Sequence, residues 1–228
     1  MNSVISEIPA ILIAGGRPME GGAMIRIMAS ALDNAKGFRV SYIGAANGDN
    51  FAFFTLMKSM LVKAGAGKID FIKLTKKKVD VSVAREMLER ADAVFISGGE
   101  VEDGMNGLKK HGLDGFLKDL YAGGKRFICT SAGAIMMGTR WVRWENPSDD
   151  STAELFDCLG IIPAVFDTHA EDEDWIELKT VLRLMGDGSR GYGLPRGSII
   201  SADSSGAFVN FNGAPMTFIN NNGEYKII

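Results

Sequence analysis

The stretch Phe127-Ile128-Cys129-Thr130-Ser131-Ala132-Gly133-Ala134 decides the fold. Its first half is a short apolar run, which reads as a strand buried on both faces. Its second half starts a helix at once, and the small residues Ala132 and Gly133 let the turn be tight. A serine at such a corner sits beyond the carboxyl end of a strand, where open parallel sheets bind ligands. Its hydroxyl would be lifted into the crevice. The backbone N–H of Ala132 would point to where an oxyanion develops, at the positive end of a helix. This is the logic of a nucleophile elbow. The match to Gly-x-Ser-x-Gly is partial, because Cys129 occupies the first glycine position. The simpler reading is that Ser131 caps the helix, serine being a favoured N-cap.

Working outward, the same alternation recurs on the N-terminal side. Pro9 to Ala14 (PAILIA) is a buried strand that ends in the turn Gly15-Gly16, and Ala23 to Leu32 reads as helix. Phe38 to Ile43 is a strand followed by a loop over Gly44 to Asn50. Phe51, Phe54 and Leu61 mark a second helix, ended by Gly65 and Gly67. Ile69 to Leu74 and Ala93 to Ile96 are strands, with a helix marked by Val81, Ala84 and Leu88 between them. Leu113 to Tyr121 is helical. This order implies a largely parallel sheet with helices on both faces. In the C-terminal third, Trp175, Leu178, Val181, Leu182 and Met185 form one helical stripe. The segments Ser198–Ala202, Ala207–Phe211, Met216–Ile219 and Tyr225–Ile228 then read as late, antiparallel strands that extend or flank the sheet. The expected fold is a three-layer α/β/α sandwich with a mostly parallel sheet and short antiparallel strands at the C-terminal end. It is read as a single domain, 1–228.

Composition narrows the classes. The 228 residues are 46% hydrophobic and 23% charged, with a formal net charge of −3, so no basic surface for nucleic acid is expected. The run Lys76-Lys77-Lys78 reads as a solvated turn. Cys129 and Cys158 are the two cysteines; their spacing suits neither a disulfide framework nor a zinc site, and no cofactor is implied. A signal peptide and a membrane span are not expected, and a reducing cytoplasm fits best.

A nucleophilic serine needs a base, and the chain has two histidines. His111 reads as a solvated loop residue. His169 ends the run Val165-Phe166-Asp167-Thr168, another strand whose carboxyl end would reach the crevice. Gly98-Gly99 closes the Ala93 strand; glycines there let the backbone approach a substrate and give a second N–H to an oxyanion, unless they form a plain turn.

These residues, in this order, resemble peptidase family S51, which includes dipeptidase E and cyanophycinase and has a class I glutamine amidotransferase-like fold. The resemblance rests on Gly15-Gly16, Gly98-Gly99, the Ser131–Ala134 elbow, His169 and Gly191-Tyr192-Gly193-Leu194. It implies Ser131 as nucleophile, His169 as general base, and the N–H groups of Gly99 and Ala132 as oxyanion hole. The implied activity is hydrolysis of dipeptides or isopeptide-like bonds in small peptides through an acyl-enzyme. A homodimer is left open.

Three departures stand out. Arg196 occupies the position where the family usually has an acidic residue after the late Gly-x-Gly segment. Glu171-Asp172-Glu173-Asp174 follows His169 where the family tends to have arginines; it reads as a helix-start acidic cluster, or else as a rim selecting a basic substrate. The loop after Gly99 reads Glu100-Val101-Glu102-Asp103. Asp167, two residues before His169 and so on the same strand face, is the first candidate for the missing acid, with Glu145, Asp149, Asp150 and Glu171 as others. Arg196 also raises an alternative, a catalytically impaired or repurposed binding protein. A cysteine enzyme would need Cys at the elbow, and Cys129 lies two residues early.

Overall fold

The computed structural model describes residues 10–15, 21–34, 36–146 and 148–228. Pro9 and Gly16 lie outside the described residues, so only Gly15 of the first expected turn is seen, with φ +81°. The chain runs β1 (Ala10–Ile13), α1 (Gly21–Ala31), β2 (Arg39–Ile43), α2 (Phe51–Lys63), β3 (Lys68–Ile72), α3 (Val81–Arg90) and β4 (Ala93–Ile96). It continues through α4 (Val101–Lys110), α5 (Asp114–Ala122), β5 (Arg126–Thr130), α6 (Ala132–Met136), β6 (Arg140–Trp144), β7 (Ala153–Asp157) and β8 (Phe166–Thr168). The last elements are α7 (Ile176–Met185), β9 (Arg190–Leu194), β10 (Ile199–Ala202), β11 (Phe208–Asn212), β12 (Met216–Asn221) and β13 (Glu224–Ile227).

The main sheet has seven strands in the order β11-β10-β1-β5-β4-β2-β3. β1 to β5 are mutually parallel, while β10 and β11 extend one edge antiparallel. Its faces follow from the period of two along each strand. Ile11 and Ile13 of β1 join Phe95 and Ile128 under α1 and α2, with Met28, Phe54 and Leu61 from the helices. Ala10 and Leu12 join Val94, Ile96, Phe127 and Cys129 on the opposite face, against Leu88, Leu108 and Leu117 of α3, α4 and α5. Fully burying each such Leu, Ile or Phe is worth about 1.5–3 kcal/mol. The expected α/β/α sandwich is therefore present.

The late strands divide. β10 and β11 extend the main sheet, whereas β12 and β13 join β9 and β8 in a second sheet of order β13-β12-β9-β8. β8 and β9 pair in parallel. Thus the strand leading to His169 belongs to this smaller sheet, not to the one carrying Ser131. α7 lies across it. A Cβ on Gly193 would come 2.8 Å from the Trp175 ring, and one on Gly191 2.7 Å from Leu178. The late Gly-x-Gly is needed because a helix sits directly on that strand.

Other departures are local. Val101 to Asp103, read as loop, open α4. β9 and the hairpin β6–β7 were not expected; the hairpin pairs Arg143 with Glu154 at 2.5 Å. Lys76 to Lys78 are exposed, as read. His111 is not simply solvated: its Nε2 lies 3.0 Å from the Leu74 carbonyl oxygen. Among the described residues no helix is long and apolar enough to cross a membrane.

Candidate active site

Ser131 stands between β5 and α6 with φ +50° and ψ −123°. Such a conformation is strained for a residue with a Cβ, costs roughly 1–3 kcal/mol, and persists only where its surroundings enforce it. They do. Ser131 N–H donates to Ile13 O at 2.8 Å, and Ser131 O accepts from Ala134 N at 2.7 Å. Room for the turn comes from missing side chains. A Cβ on Gly133 would lie 2.4 Å from Ile96 O, and one on Gly98 2.9 Å from Ser131 Cβ. Although Ser131 occupies the cap position of α6, its hydroxyl makes no capping bond. Instead Oγ lies 2.7 Å from His169 Nε2. The simple capping reading is thereby set aside. With Oγ donating to Nε2, the ring proton resides on Nδ1.

The loop after β4 supplies the opposite wall. Gly99 has φ +141°, and a Cβ there would meet Ala46 O at 2.1 Å, so only glycine fits. Asn47 Nδ2 donates to Gly98 O at 3.0 Å and to Ser97 Oγ at 2.7 Å, and Tyr42 OH donates to the same Ser97 Oγ at 2.9 Å. Because the peptide unit is planar and trans, holding Gly98 O toward Asn47 turns Gly99 N–H the other way. Among the described residues, Gly99 N–H donates to no backbone acceptor. Ala132 N–H opens α6, where a helix leaves its first donors without intrahelical partners.

The carboxylates are arranged differently from expectation. Asp167 is 2% exposed, and its Oδ1 accepts from the adjacent Thr168 N at 2.6 Å. Its Oδ2 has no hydrogen-bond partner, so neither oxygen bonds His169. The reason is a break in strand geometry. β8 ends at Thr168, and His169 has φ +48°, so the two-residue period no longer puts 167 and 169 on one face. Burial pushes Asp167 up to about 7, with Glu177 and Glu173 adding repulsion.

Glu171 and Arg196 meet. Arg196 N donates to Glu171 Oε1 at 2.6 Å, and Arg196 Nε lies 3.9 Å from Glu171 Oε2. The guanidinium also pairs with Asp172. Glu171 Oε2 is buried without a hydrogen bond. The acidic cluster is thus no simple helix start: Glu171 to Glu173 form a separate 3₁₀ turn, and Asp174 pairs with Lys179 at 2.8 Å. Asp149 caps its own turn through Ser151, Asp150 binds Arg183 at 2.6 Å, and Glu145 is exposed. Burial pushes the Cys129 thiol up strongly and that of Cys158 up to about 12, which leaves both inert.

A cavity of about 470 Å³ opens at Ser131 and His169, bounded by Ile13, Met24, Phe53 and Met57, with Asn47 and Asn50 among its polar residues. Sequence reasoning missed Asn47, Ser97 and Tyr42. The one local signal was Asn50 ahead of the apolar run from Phe51; it caps α2 by accepting from Phe53 N at 3.0 Å.

The fold and this site define an α/β/α protein with a serine elbow and a histidine in hydrogen-bond contact, each on its own sheet. The model of peptidase family S51 matches residues 10–209, and the chain belongs to that family. Solved structures agree on the fold. A peptidase from an acI-B1 Actinobacterium superposes with a TM-score of 0.72 at 17% identity, over 97% of this chain and 94% of that one. A putative peptidase E protein from Listeria monocytogenes EGD-e gives 0.68 at 16%, over 92% and 100%. No curated protein sequence matches.

Proposed function

We propose that the chain is a serine-type peptidase that cleaves small peptides through an acyl-enzyme on Ser131. The observation that carries this reading is the 2.7 Å contact of Ser131 Oγ with His169 Nε2 at a strained elbow. Oγ attacks the scissile carbonyl carbon as Nε2 takes its proton. The tetrahedral oxyanion is met by Gly99 and Ala132 N–H, and Nε2 then returns the proton to the leaving amine. Water, activated by the same nitrogen, releases the acyl group. Glu171 is the carboxylate we take to orient the ring. It lies two residues beyond His169, its Oε1 is fixed on the Arg196 backbone, and its Oε2 is buried and free of hydrogen bonds.

The alternative of an impaired or repurposed binding protein rested on Arg196. That argument weakens because Arg196 is neutralised by Glu171 and Asp172. The test is a fluorophosphonate label followed by peptide mass spectrometry. Ser131 is expected to carry the label, and Ser131→Ala to abolish it. An unlabelled Ser131 beside a reactive control hydrolase would refute the proposal.

A further inference from the structure

The described lining residues of the cavity beside Ser131 include no Asp, Glu, Lys or Arg. Its walls come from the α1–α2 side of the sheet: Ile13 at the end of β1, Met24 on α1, Phe53 and Met57 on α2. Its polar side chains besides Ser131 and His169 are neutral, namely Asn47, Asn50 and Thr130. Thr130 is 6% exposed, and its Oγ1 has no hydrogen-bond partner. Arg196, the cation that follows the second-sheet strand paired with β8, is held by Glu171 and Asp172 and does not line the cavity.

From this we infer that the site selects a peptide whose acyl-side residue, the one left on Ser131, carries an uncharged, apolar side chain such as Leu, Met or Phe. The inference rests on the peptidase reading for its chemistry and on the cavity for its selectivity. Placing a carboxylate or ammonium against Ile13, Met24, Phe53 and Met57 strips its hydration, and none of the described lining residues is an Asp, Glu, Lys or Arg that would return a counter-ion. An apolar side chain gains from the same desolvation. A volume of about 470 Å³ is within the range of pockets that enclose a small molecule.

The test uses dipeptides with glycine on the leaving side, so that only the acyl-side residue varies: Leu-Gly, Phe-Gly, Asp-Gly and Lys-Gly. Expected kcat/KM favours Leu-Gly and Phe-Gly by roughly tenfold or more. Asn50→Asp keeps the acceptor that caps α2 and adds a charge at the cavity, so it should narrow the gap for Lys-Gly and not for Asp-Gly. Binding is read separately with Ser131→Ala, as thermal shifts with the same four dipeptides, so that the selectivity is measured even without turnover. Larger shifts with Leu-Gly and Phe-Gly support the inference, and absent turnover alongside them would count only against the peptidase reading. Equal or greater preference for Asp-Gly or Lys-Gly, in turnover or in binding, overturns it, and so does the lack of a shift with any of the four.

Discussion

At the scale of single residues, two substitutions separate the carboxylates. Glu171→Gln keeps an acceptor for Arg196 N–H but removes the charge that we propose orients His169. We expect kcat to fall roughly tenfold or more, with little change in KM, since the charge acts on the imidazolium that forms during acyl transfer. Asp167→Asn should leave kcat close to wild type, because the acceptor for Thr168 N is retained and His169 is not its partner. Steady-state kinetics on one dipeptide checks both, and the reverse ranking would restore Asp167 as the third member. Asp167 was attractive in the sequence because position 167 shares a strand parity with 169. The left-handed φ of His169 cancels that parity, and nothing in the local sequence announces it.

At the scale of elements, the elbow tolerates no added atom. Gly133→Ala would put a Cβ 2.4 Å from Ile96 O. We expect a loss of about 1–3 kcal/mol in urea unfolding, with fluorophosphonate labelling reduced more steeply than stability, because the displaced atom is one residue pair from Ser131. The packing of α7 on β8 carries a pH dependence. Folded Asp167 and Glu177 are both pushed up to about 7, from ordinary values of 3.8 and 4.5, with burial as the main cause. Between those values the folded chain holds protons that the unfolded chain has released. Their contribution to stability is therefore complete below about pH 4 and is lost as pH rises through 7. Asp167→Asn should be neutral at pH 4 and stabilising by on the order of 1 kcal/mol at pH 8; unfolding midpoints at the two pH values decide it.

At the scale of the whole molecule, the reactive pair spans two sheets. Ser131 follows β5 of the seven-stranded sheet, and His169 follows β8 of the four-stranded one. The smaller sheet is held by α7, where Trp175 packs on Gly193 and its ring centroid lies 5.8 Å from that of Phe218. Local opening of such a unit costs less than global unfolding. In rising urea, labelling of Ser131 should vanish before amides of β1, β4 and β5 lose protection from exchange. Coincident loss would mean that the two sheets open as one unit. Trp175→Ala, which leaves a cavity worth about 3–5 kcal/mol, should widen the interval between the two events.

The sequence by itself determined the alternation of strands and helices, the parallel sheet and the elbow. Each depends on residues close in the chain: the apolar period of a strand, the small residues after Ser131, the glycines at strand ends. Even the ordered set Gly98-Gly99, Ser131 and His169 was legible, as glycines and reactive side chains at strand ends. The rest arises from pairings across the chain. Asn47 orients Gly98 from 51 residues away, Glu171 meets Arg196 from 25 away, and β8 pairs with β9 rather than with the main sheet. In sequence, Glu171 and Arg196 were two separate departures from the family pattern. Only the tertiary structure makes them one compensating pair, because attraction between opposite charges depends on distance in space and not on position along the chain.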